Sequence, residues 1–301
     1  MSTLSKSPNV VAVIAYAVAK QSLPAYRHLK SPKKFSQHQL AAILILREFF
    51  KTDYRGIEVI VQDSGDLRKI LELRYEVPHF STIQKAAHRI KKQELDALMK
   101  GFLDLSVRTK VLKRHVALSA IDGTGFETRH ISSYFVKRRA KGEKNIFQMT
   151  TYTRYPKAGI IVDCSTHCVL AIVPERGAGP DVTHFKKAIT EAEKNVRLKT
   201  LTADAGYDGE PSHVFARERG IRTIIPATIG RPSASLPKGK WRKIMATRCN
   251  KKLYGQRWQV ETVNSMVKRV LGSALRARSY WSQCRELMMR FLTHNVMILW
   301  T

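Results

Sequence analysis

The segment from residue 36 to about residue 110 repeats its apolar positions every three or four residues, and this period predicts α-helices. Ser36 followed by Gln39 predicts a capping box at the start of the first of them. Further helices are predicted over residues 56–62 and 66–75. Short polar breaks join these helices, so the N-terminal part of the chain is predicted to be all-α, with a helix-turn-helix-like order.

The last predicted helix of this part is basic. Ser81 and Gln84 predict a second capping box, and Lys85, Arg89 and Lys92 would share the outer face of the helix that follows. A basic helix that follows two helices and two turns is typical of a DNA-reading module. A solvated basic helix in a bundle is the alternative that these residues leave open.

The pattern changes to that of β-strands after about residue 113. HVALSAIDG predicts a strand that ends on Asp122, and GIIVDCSTHCVLAIVP predicts two strands around a turn at residues 163–166. The elements predicted after this hairpin are a helix over 181–196, a strand that ends on Asp204, a helix over 213–219 and the strand IRTIIPA. Strands that alternate with helices predict an α/β fold, in which helices flank a mixed sheet. We therefore expect a helical domain over 1–112 and a second domain over 113–301.

The charge of the chain indicates a polyanionic partner. The chain has 301 residues, with 53 Lys and Arg against 24 Asp and Glu, for a formal charge of +29. The excess runs through both predicted domains and includes a cluster at Lys137, Arg138, Arg139, Lys141 and Lys144. Nucleic acid is the expected partner, because binding to its phosphates is electrostatic. An anionic membrane surface is the alternative, although the chain shows no long basic amphipathic helix for it.

The cysteines and the apolar runs indicate a cytoplasmic protein associated with the nucleoid. Four cysteines show no Cys-x-x-Cys pair, and His167 between Cys164 and Cys168 lacks a matching second pair of ligands. We interpret these cysteines as reduced structural thiols. The apolar run VVAVIAYAVAK near the N-terminus is short, and we expect it to be a packed helix or strand. No stretch is long enough to cross a membrane.

The segment YGQRWQVETVNSMVKRVLG contains the most distinctive pattern near the C-terminus. Along one helix, Tyr254, Arg257, Glu261 and Lys268 would fall within an arc of about 60°, and apolar residues would cover the opposite side. Arg257 and Glu261 are four residues apart, so they are spaced to touch. A solvated face and a site that combines metal and phosphate binding both remain open from this helix alone.

Three carboxylates are candidates for a metal site. Asp122 and Asp204 each follow an apolar strand and lie close to a glycine, and ligands bind at the carboxyl ends of strands in open α/β sheets. Glu261 could join them from a helix packed on that sheet. Three carboxylates suit Mg²⁺, and two such ions about 4 Å apart assist phosphoryl transfer. Each aspartate could also be an ordinary turn residue.

These motifs together resemble those of prokaryotic insertion-sequence transposases of the DDE type, whose catalytic domain is RNase H-like. The chain is similar to the group with a Tyr-(2)-Arg-(3)-Glu-(6)-Lys signature, which is matched here by Tyr254, Arg257, Glu261 and Lys268. The strand that ends in TADAGYD matches a second motif, and AIDGTG matches the first. The resemblance covers about residues 113–301.

The resemblance implies a DNA transposase with a catalytic and metal-binding triad of Asp122, Asp204 and Glu261. It implies two Mg²⁺ ions, for which Mn²⁺ can substitute, and contacts from Tyr254, Arg257 and Lys268 to the DNA backbone. Trp258 would stack on a displaced base or pack under a loop. The partners would be double-stranded DNA, as transposon ends and as target, and a second copy of the chain in a synaptic dimer.

Other functions stay open on the sequence. A transposase-derived DNA-binding protein would occupy sites without cutting, and a metal-dependent DNA nuclease would cut without joining. A basic RNA-associated protein would have no need of an ordered set of carboxylates. Only 56 residues separate Asp204 from Glu261, so any insertion between them is small. Whether a hairpin intermediate forms is therefore open.

Overall fold

The computed structural model describes residues 4–28, 30, 32–128, 155–177, 179–228 and 236–299. The basic cluster at residues 137–144 lies outside the described residues. The chain forms two compact units. The first consists of Met1–Leu112, Met266–Gly272 and Trp281–Thr301, and the second of Lys113–Ser265 and Ser273–Tyr280.

The helices and strands follow one another along the chain in the order in which they are numbered. Those before the long hairpin are α1 (Pro8–Ser22), α2 (Gln37–Phe49), α3 (Tyr54–Asp63), α4 (Gly65–Ile70), α5 (Phe80–Arg89), α6 (Lys92–Arg108), β1 (His115–Val116), β2 (Ser119–Gly125) and β3 (Glu127–Thr128). The hairpin and the elements after it are β4 (Pro156–Asp163), β5 (Val169–Arg176), α7 (Val182–Glu193), β6 (Arg197–Leu198), β7 (Thr200–Ala203), α8 (Glu210–Arg217) and β8 (Arg222–Ile224). The C-terminal part contains α9 (Lys240–Arg248), α10 (Lys251–Tyr254), α11 (Trp258–Leu271), β9 (Ala274–Leu275) and α12 (Tyr280–Ile298).

The first unit confirms the predicted helical N-terminal region. Helix α2 begins at the predicted capping box, where Ser36 accepts from the backbone of Gln39 and the Gln39 side chain accepts from the backbone of Ser36. The apolar run near the N-terminus is helix α1, with most of its valines and alanines buried. Deep in this unit, Arg290 of α12 pairs with Glu48 of α2 and with Glu286, and all three side chains are buried. Paired burial of this kind spares each charge an uncompensated desolvation cost.

Two predictions about the basic helix are wrong. Helix α5 begins at Phe80, one residue before the predicted cap, because the His79 side chain caps it and Glu58 accepts the backbone N–H of Phe80. The helix also ends at Arg89, since Ile90 has extended backbone angles. Lys92 therefore does not share a helical face with Lys85 and Arg89. It begins helix α6 and pairs with Asp96 one turn later.

The second unit contains a five-stranded sheet in the order β5-β4-β2-β7-β8. Strands β2, β4 and β5 pair antiparallel, whereas β2, β7 and β8 pair parallel. Helix α7 packs on β4 and β5, and every residue of β4 is buried. The predicted mixed sheet flanked by helices is confirmed, including the hairpin between β4 and β5.

Two further boundaries differ from the prediction. Asp122 lies in the middle of β2, because the strand continues to Gly125 through its pairing with β4. The segment from Tyr254 to Lys268 is not one helix. A 3₁₀ turn over Gly255–Arg257 separates α10 from α11. The turn begins at a glycine, which has a low propensity for the α-helix. Helix α11 ends where expected, at Gly272, which has a φ of 99°.

In the part of the chain that the structure describes, every helix is too short or too polar to cross a lipid bilayer.

Candidate active site

The pairing of two parallel strands places Asp122 beside Asp204. In the register of β2 and β7, Ile121 pairs with Ala203, so the two aspartates follow paired neighbours on adjacent strands. Parallel neighbours in a sheet lie about 4.8 Å apart. Asp204 comes directly after β7, where its Oδ1 accepts the backbone N–H of Ala205 at 2.6 Å and caps a 3₁₀ turn. Both carboxylates therefore belong to one edge of the sheet.

The buried carboxyl group of Asp122 has a higher pKa than an exposed aspartate. Burial raises the pKa of its carboxyl to about 6, although a hydrogen bond to the backbone of Gly123 opposes the shift. The negative charges of Asp181 and Glu261 raise the pKa further, and Arg257 lowers it. A hydrogen bond from Asn264 to Asp122 shows that α11 faces the strand that carries this aspartate. A group with such a pKa is a carboxylate that a cation would stabilise.

Arg257 connects the three predicted carboxylates electrostatically. Its Nη2 lies 2.7 Å from Oε1 of Glu261, which confirms the contact expected from their spacing of four residues. Burial lowers the pKa of Arg257, but the charges of Glu261 and Asp204 raise it more. The same guanidinium also lowers the pKa of Asp122. Arg257 is thus in contact with Glu261 and acts electrostatically on Asp122 and Asp204.

The oxygen atoms of this site suit a divalent metal, although Glu261 is engaged with Arg257. Among the described residues, no three His, Cys, Asp or Glu side chains stand close enough together to hold an ion. The Glu261 side chain is 52% exposed, so its contact with Arg257 is open to solvent. Carboxylate oxygens are the donors that Mg²⁺ and Mn²⁺ prefer. The donors are therefore of the right chemical type, and the three carboxylates do not converge on one point in this structure.

Asn264 is a site residue that sequence reasoning missed. It lies one turn after Glu261 in α11, is only 7% exposed, and donates from Nδ2 to Oδ2 of Asp122 at 3.3 Å. Its own Oδ1 is buried and has no hydrogen-bond partner within the described residues. A polar side chain on the otherwise apolar face of the helix, three residues after Glu261, was the signal that could have identified it.

A buried polar network supports the turn after Asp204. The OH group of Tyr207 lies 2.7 Å from Nε2 of His184, and Nδ1 of His184 lies 3.0 Å from Glu175. Burial lowers the pKa of His184, which favours a neutral ring that donates to Glu175 and accepts from Tyr207. Gly159 makes room for this ring, because a methyl group there would lie 2.2 Å from its Cδ2. The network fixes Tyr207, and with it the turn that Asp204 caps.

Asp208 and Glu210, the acidic neighbours of Asp204, are engaged elsewhere. Asp208 is buried and binds Arg242 through both carboxylate oxygens, at distances of 2.6 to 3.0 Å. Glu210 accepts the backbone N–H groups of Trp241 and Arg242 at the start of α9. These contacts leave Asp204 as the acidic residue of its motif that is exposed at the sheet edge.

Asp163 and the cysteines have structural roles, as the sequence indicated. Asp163 accepts hydrogen bonds from Ser165 and Thr166 within the turn between β4 and β5. His167, in the left-handed region with a φ of 63°, contacts Gln259 at the start of α11. Burial raises the pKa of Cys164 and of Cys168 to about 12, so both remain protonated thiols.

The predicted DNA-contacting residues occupy both units. In the second unit, Tyr254 and Arg257 are half-buried, whereas Trp258 is 50% exposed. Lys268 belongs to the part of α11 that is grouped with the first unit, and it is half-buried there. Lys85 and Arg89 are exposed on α5 in the first unit.

Comparisons with known proteins identify the family of the chain. A family model described as the transposase DDE domain matches residues 117–296. No curated protein matches the chain. Among solved structures, the chain is similar to a piggyBac transposase in a synaptic complex with hairpin DNA, with 14% identity and a TM-score of 0.45. That match covers 98% of this chain and 72% of the other.

The raised pKa of Asp122 predicts a stability effect in the metal-free protein. Its pKa is 3.8 in the unfolded chain and about 6 in the folded one, so stability is lost as the pH rises between these values. Asp122→Asn should therefore raise the thermal midpoint at pH 8, by an amount equivalent to at most about 3 kcal/mol. The gain should vanish at pH 3.5.

Thermal unfolding in EDTA, followed by circular dichroism at both pH values, measures this difference. Asp104→Asn, at a residue of α6 remote in sequence from the site, serves as the control. An Asp122→Asn variant that unfolds at a lower temperature than the parent protein at pH 8 would contradict this description of the site.

Proposed function

The chain belongs to the family of transposases that carry a DDE domain, and we propose that it cuts DNA at the ends of a mobile element and joins the freed 3′-hydroxyls to target DNA. The observation that carries this proposal is the parallel register of β2 and β7, which sets Asp122 beside Asp204, while a hydrogen bond from Asn264 joins α11, the helix of Glu261, to Asp122. Carboxylates among cations suit phosphoryl transfer on a polyanion, because the cations attract a substrate that the carboxylates alone would repel.

In this proposal Asp122, Asp204 and Glu261 hold the divalent ions. Two Mg²⁺ ions, for which Mn²⁺ can substitute, would activate the attacking oxygen and stabilise the leaving oxygen of an in-line displacement. Glu261 leaves Arg257 to join the aspartates, and the guanidinium is then available to a phosphate. Arg257 is suited to this exchange, since a planar guanidinium binds a carboxylate and a phosphate with the same pair of N–H groups.

The remaining signature residues would orient the DNA. Tyr254 and Lys268 would contact the backbone near the scissile phosphate, together with Arg257. The exposed ring of Trp258 offers a face on which a displaced base could stack, a contact worth about 1–3 kcal/mol. These roles are supported by the match to the Tyr-Arg-Glu-Lys signature and by the contact of Arg257 with Glu261.

The helical N-terminal domain, residues 1–112, would bind the terminal repeats of the element. Lys85 and Arg89 are exposed on one short helix, and Lys92 begins the next one. Such a surface can bind phosphates and reach base edges. Residues 113–301 would then be the catalytic domain. Two element ends must be cut together, so we expect a homodimer in the synaptic complex.

The proposal is tested with purified protein, the DNA that flanks its gene including any inverted repeats, a target plasmid and Mg²⁺ or Mn²⁺. We expect metal-dependent cuts at the repeat ends and joined products. Glu261→Gln should reduce both by at least about a thousandfold, because it removes a charged ligand of the ions. Glu218→Gln, which changes an exposed glutamate, is the matched control and should leave both unchanged.

Other results would favour the alternatives. Cuts without joined products would indicate a metal-dependent nuclease. Tight binding of the repeats with no cutting by any variant would indicate a DNA-binding protein derived from a transposase. Products that survive Glu261→Gln would exclude Glu261 from the triad.

Asn264 is proposed as a positioning residue for Asp122. Its Nδ2 donates to the aspartate whatever the charge of the site, and hydrogen bonds to metal-binding carboxylates contribute about 10–100-fold to metal affinity. Asn264→Leu should therefore weaken Mn²⁺ binding by about that factor. The fold should tolerate the change, since the buried Oδ1 that it removes has no partner in the described structure.

Mn²⁺ binding can be measured without DNA, from the electron paramagnetic resonance signal of the free ion. Asn195→Leu, at a half-buried asparagine after α7, is the control. An Asn264→Leu protein that binds Mn²⁺ as tightly as the parent would show that the donor is not needed.

A further inference from the structure

The segment that leads into the candidate active site is strongly basic. Residues 236–254 contain seven Lys and Arg and no Asp or Glu. They form the end of a loop, helix α9 and the short helix α10, all within the second unit. The chain then continues through the 3₁₀ turn to Arg257 and into α11. No motif of the sequence assigns a role to this segment before Tyr254.

Six of these cations are exposed. They are Lys238, Lys240, Lys243, Arg248, Lys251 and Lys252. Within the described residues none of the six forms an ion pair; the seventh, Arg242, is held by Asp208. Like charges gathered on a short segment repel one another, and cations at the start of a helix are unfavourable to its dipole. A solvated face that served only solubility would gain nothing from keeping acids out of the whole segment.

The segment is nevertheless anchored to the motif that carries Asp204. Arg242 is bound by the buried carboxylate of Asp208, four residues after Asp204. Glu210 accepts the first backbone N–H groups of α9 and so offsets the unfavourable cations there. The guanidinium of Arg217 stacks on the ring of Trp241 at 4.3 Å. These contacts hold the exposed lysines at a fixed place beside the sheet edge.

The chemistry of this surface fits a duplex bound without regard to its sequence. Five of its six exposed cations are lysines, whose ammonium groups act as point charges on flexible chains. Reading of base edges relies more on the bidentate fork of arginine, which occurs here only at Arg248 among the six. A surface that neutralises phosphates without reading bases suits the DNA that receives an element, since that DNA varies from one event to the next.

We propose that this lysine surface, Lys238 to Lys252, binds the phosphate backbone of the target duplex during strand transfer. This role rests on the proposed function, since a protein that never joins DNA needs no second duplex. The lysine surface would dock target DNA next to the carboxylates, and the terminal repeats would be held elsewhere. Loss of the lysine surface should therefore weaken joining to target DNA and leave cutting of the element ends unchanged.

The test compares Lys243→Ala/Lys251→Ala with Lys187→Ala/Lys199→Ala, a control that removes the same charge from exposed lysines elsewhere in the second unit. Element ends that are already cut are supplied, and joining is followed against target concentration at several salt concentrations. The surface variant should need on the order of tenfold more target. The slope of the logarithm of target affinity against the logarithm of salt concentration should become less steep by about 1.8, or 0.9 for each lost phosphate contact. Cutting of intact ends should match the parent protein.

Two results would overturn the proposal. Joining by the surface variant that equals joining by the control would show that the lysines do not hold the target. Loss of end binding or end cutting in the surface variant alone would show that they hold the element end instead.

If the parent protein neither cuts nor joins, the proposed function itself fails. Binding of a random duplex, measured by fluorescence anisotropy, then still reports on the surface, and equal affinity and salt slope in the two variants would exclude it as a DNA-binding face.

Discussion

The parallel pairing of β2 with β7 is the constraint on which the rest of the site depends. The register of Ile121 with Ala203 forces two aspartates to neighbouring positions of one sheet edge. Burial raises the pKa of Asp122 to about 6, so a nearby cation would stabilise its carboxylate form. Arg257 of the second unit lowers the pKa of Asp122 and pairs with Glu261.

The surrounding polar contacts support this arrangement. Asn264 donates to Asp122, and the chain of hydrogen bonds from Glu175 through His184 to Tyr207 supports the turn that Asp204 caps. His184 and Tyr207 are fully buried and paired with each other, so moving either of them would leave the other unsatisfied. The aspartates are thus supported by buried polar contacts, whereas Glu261 is exposed and pairs with Arg257.

The sequence predicted the elements of the sheet well because their apolar runs are long and their turns are marked by Asp163 and by glycines. It also predicted the contact of Arg257 with Glu261, because a spacing of four residues brings the two side chains together although Arg257 lies in the 3₁₀ turn before α11. Three features could not be predicted from the sequence because they depend on tertiary contacts. Helix α5 begins one residue early because the side chains of Glu58 and His79 bind its first backbone N–H groups. Strand β2 continues beyond Asp122 because it pairs with β4. The role of Asn264 can be recognised only when α11 is known to face β2. The roles of Lys85, Arg89 and Lys92 in DNA binding remain predictions.

The central claim is that Glu261 exchanges Arg257 for metal ions shared with Asp122 and Asp204. A crystal structure of the protein soaked in Mn²⁺, with the anomalous signal of manganese recorded, tests this claim most directly. We expect manganese peaks bound by oxygens of all three residues, with Glu261 turned away from Arg257 and metal–oxygen distances of about 2.0–2.3 Å. Manganese bound away from this sheet edge, or Glu261 still paired with Arg257 beside ions held by the aspartates alone, would contradict the account.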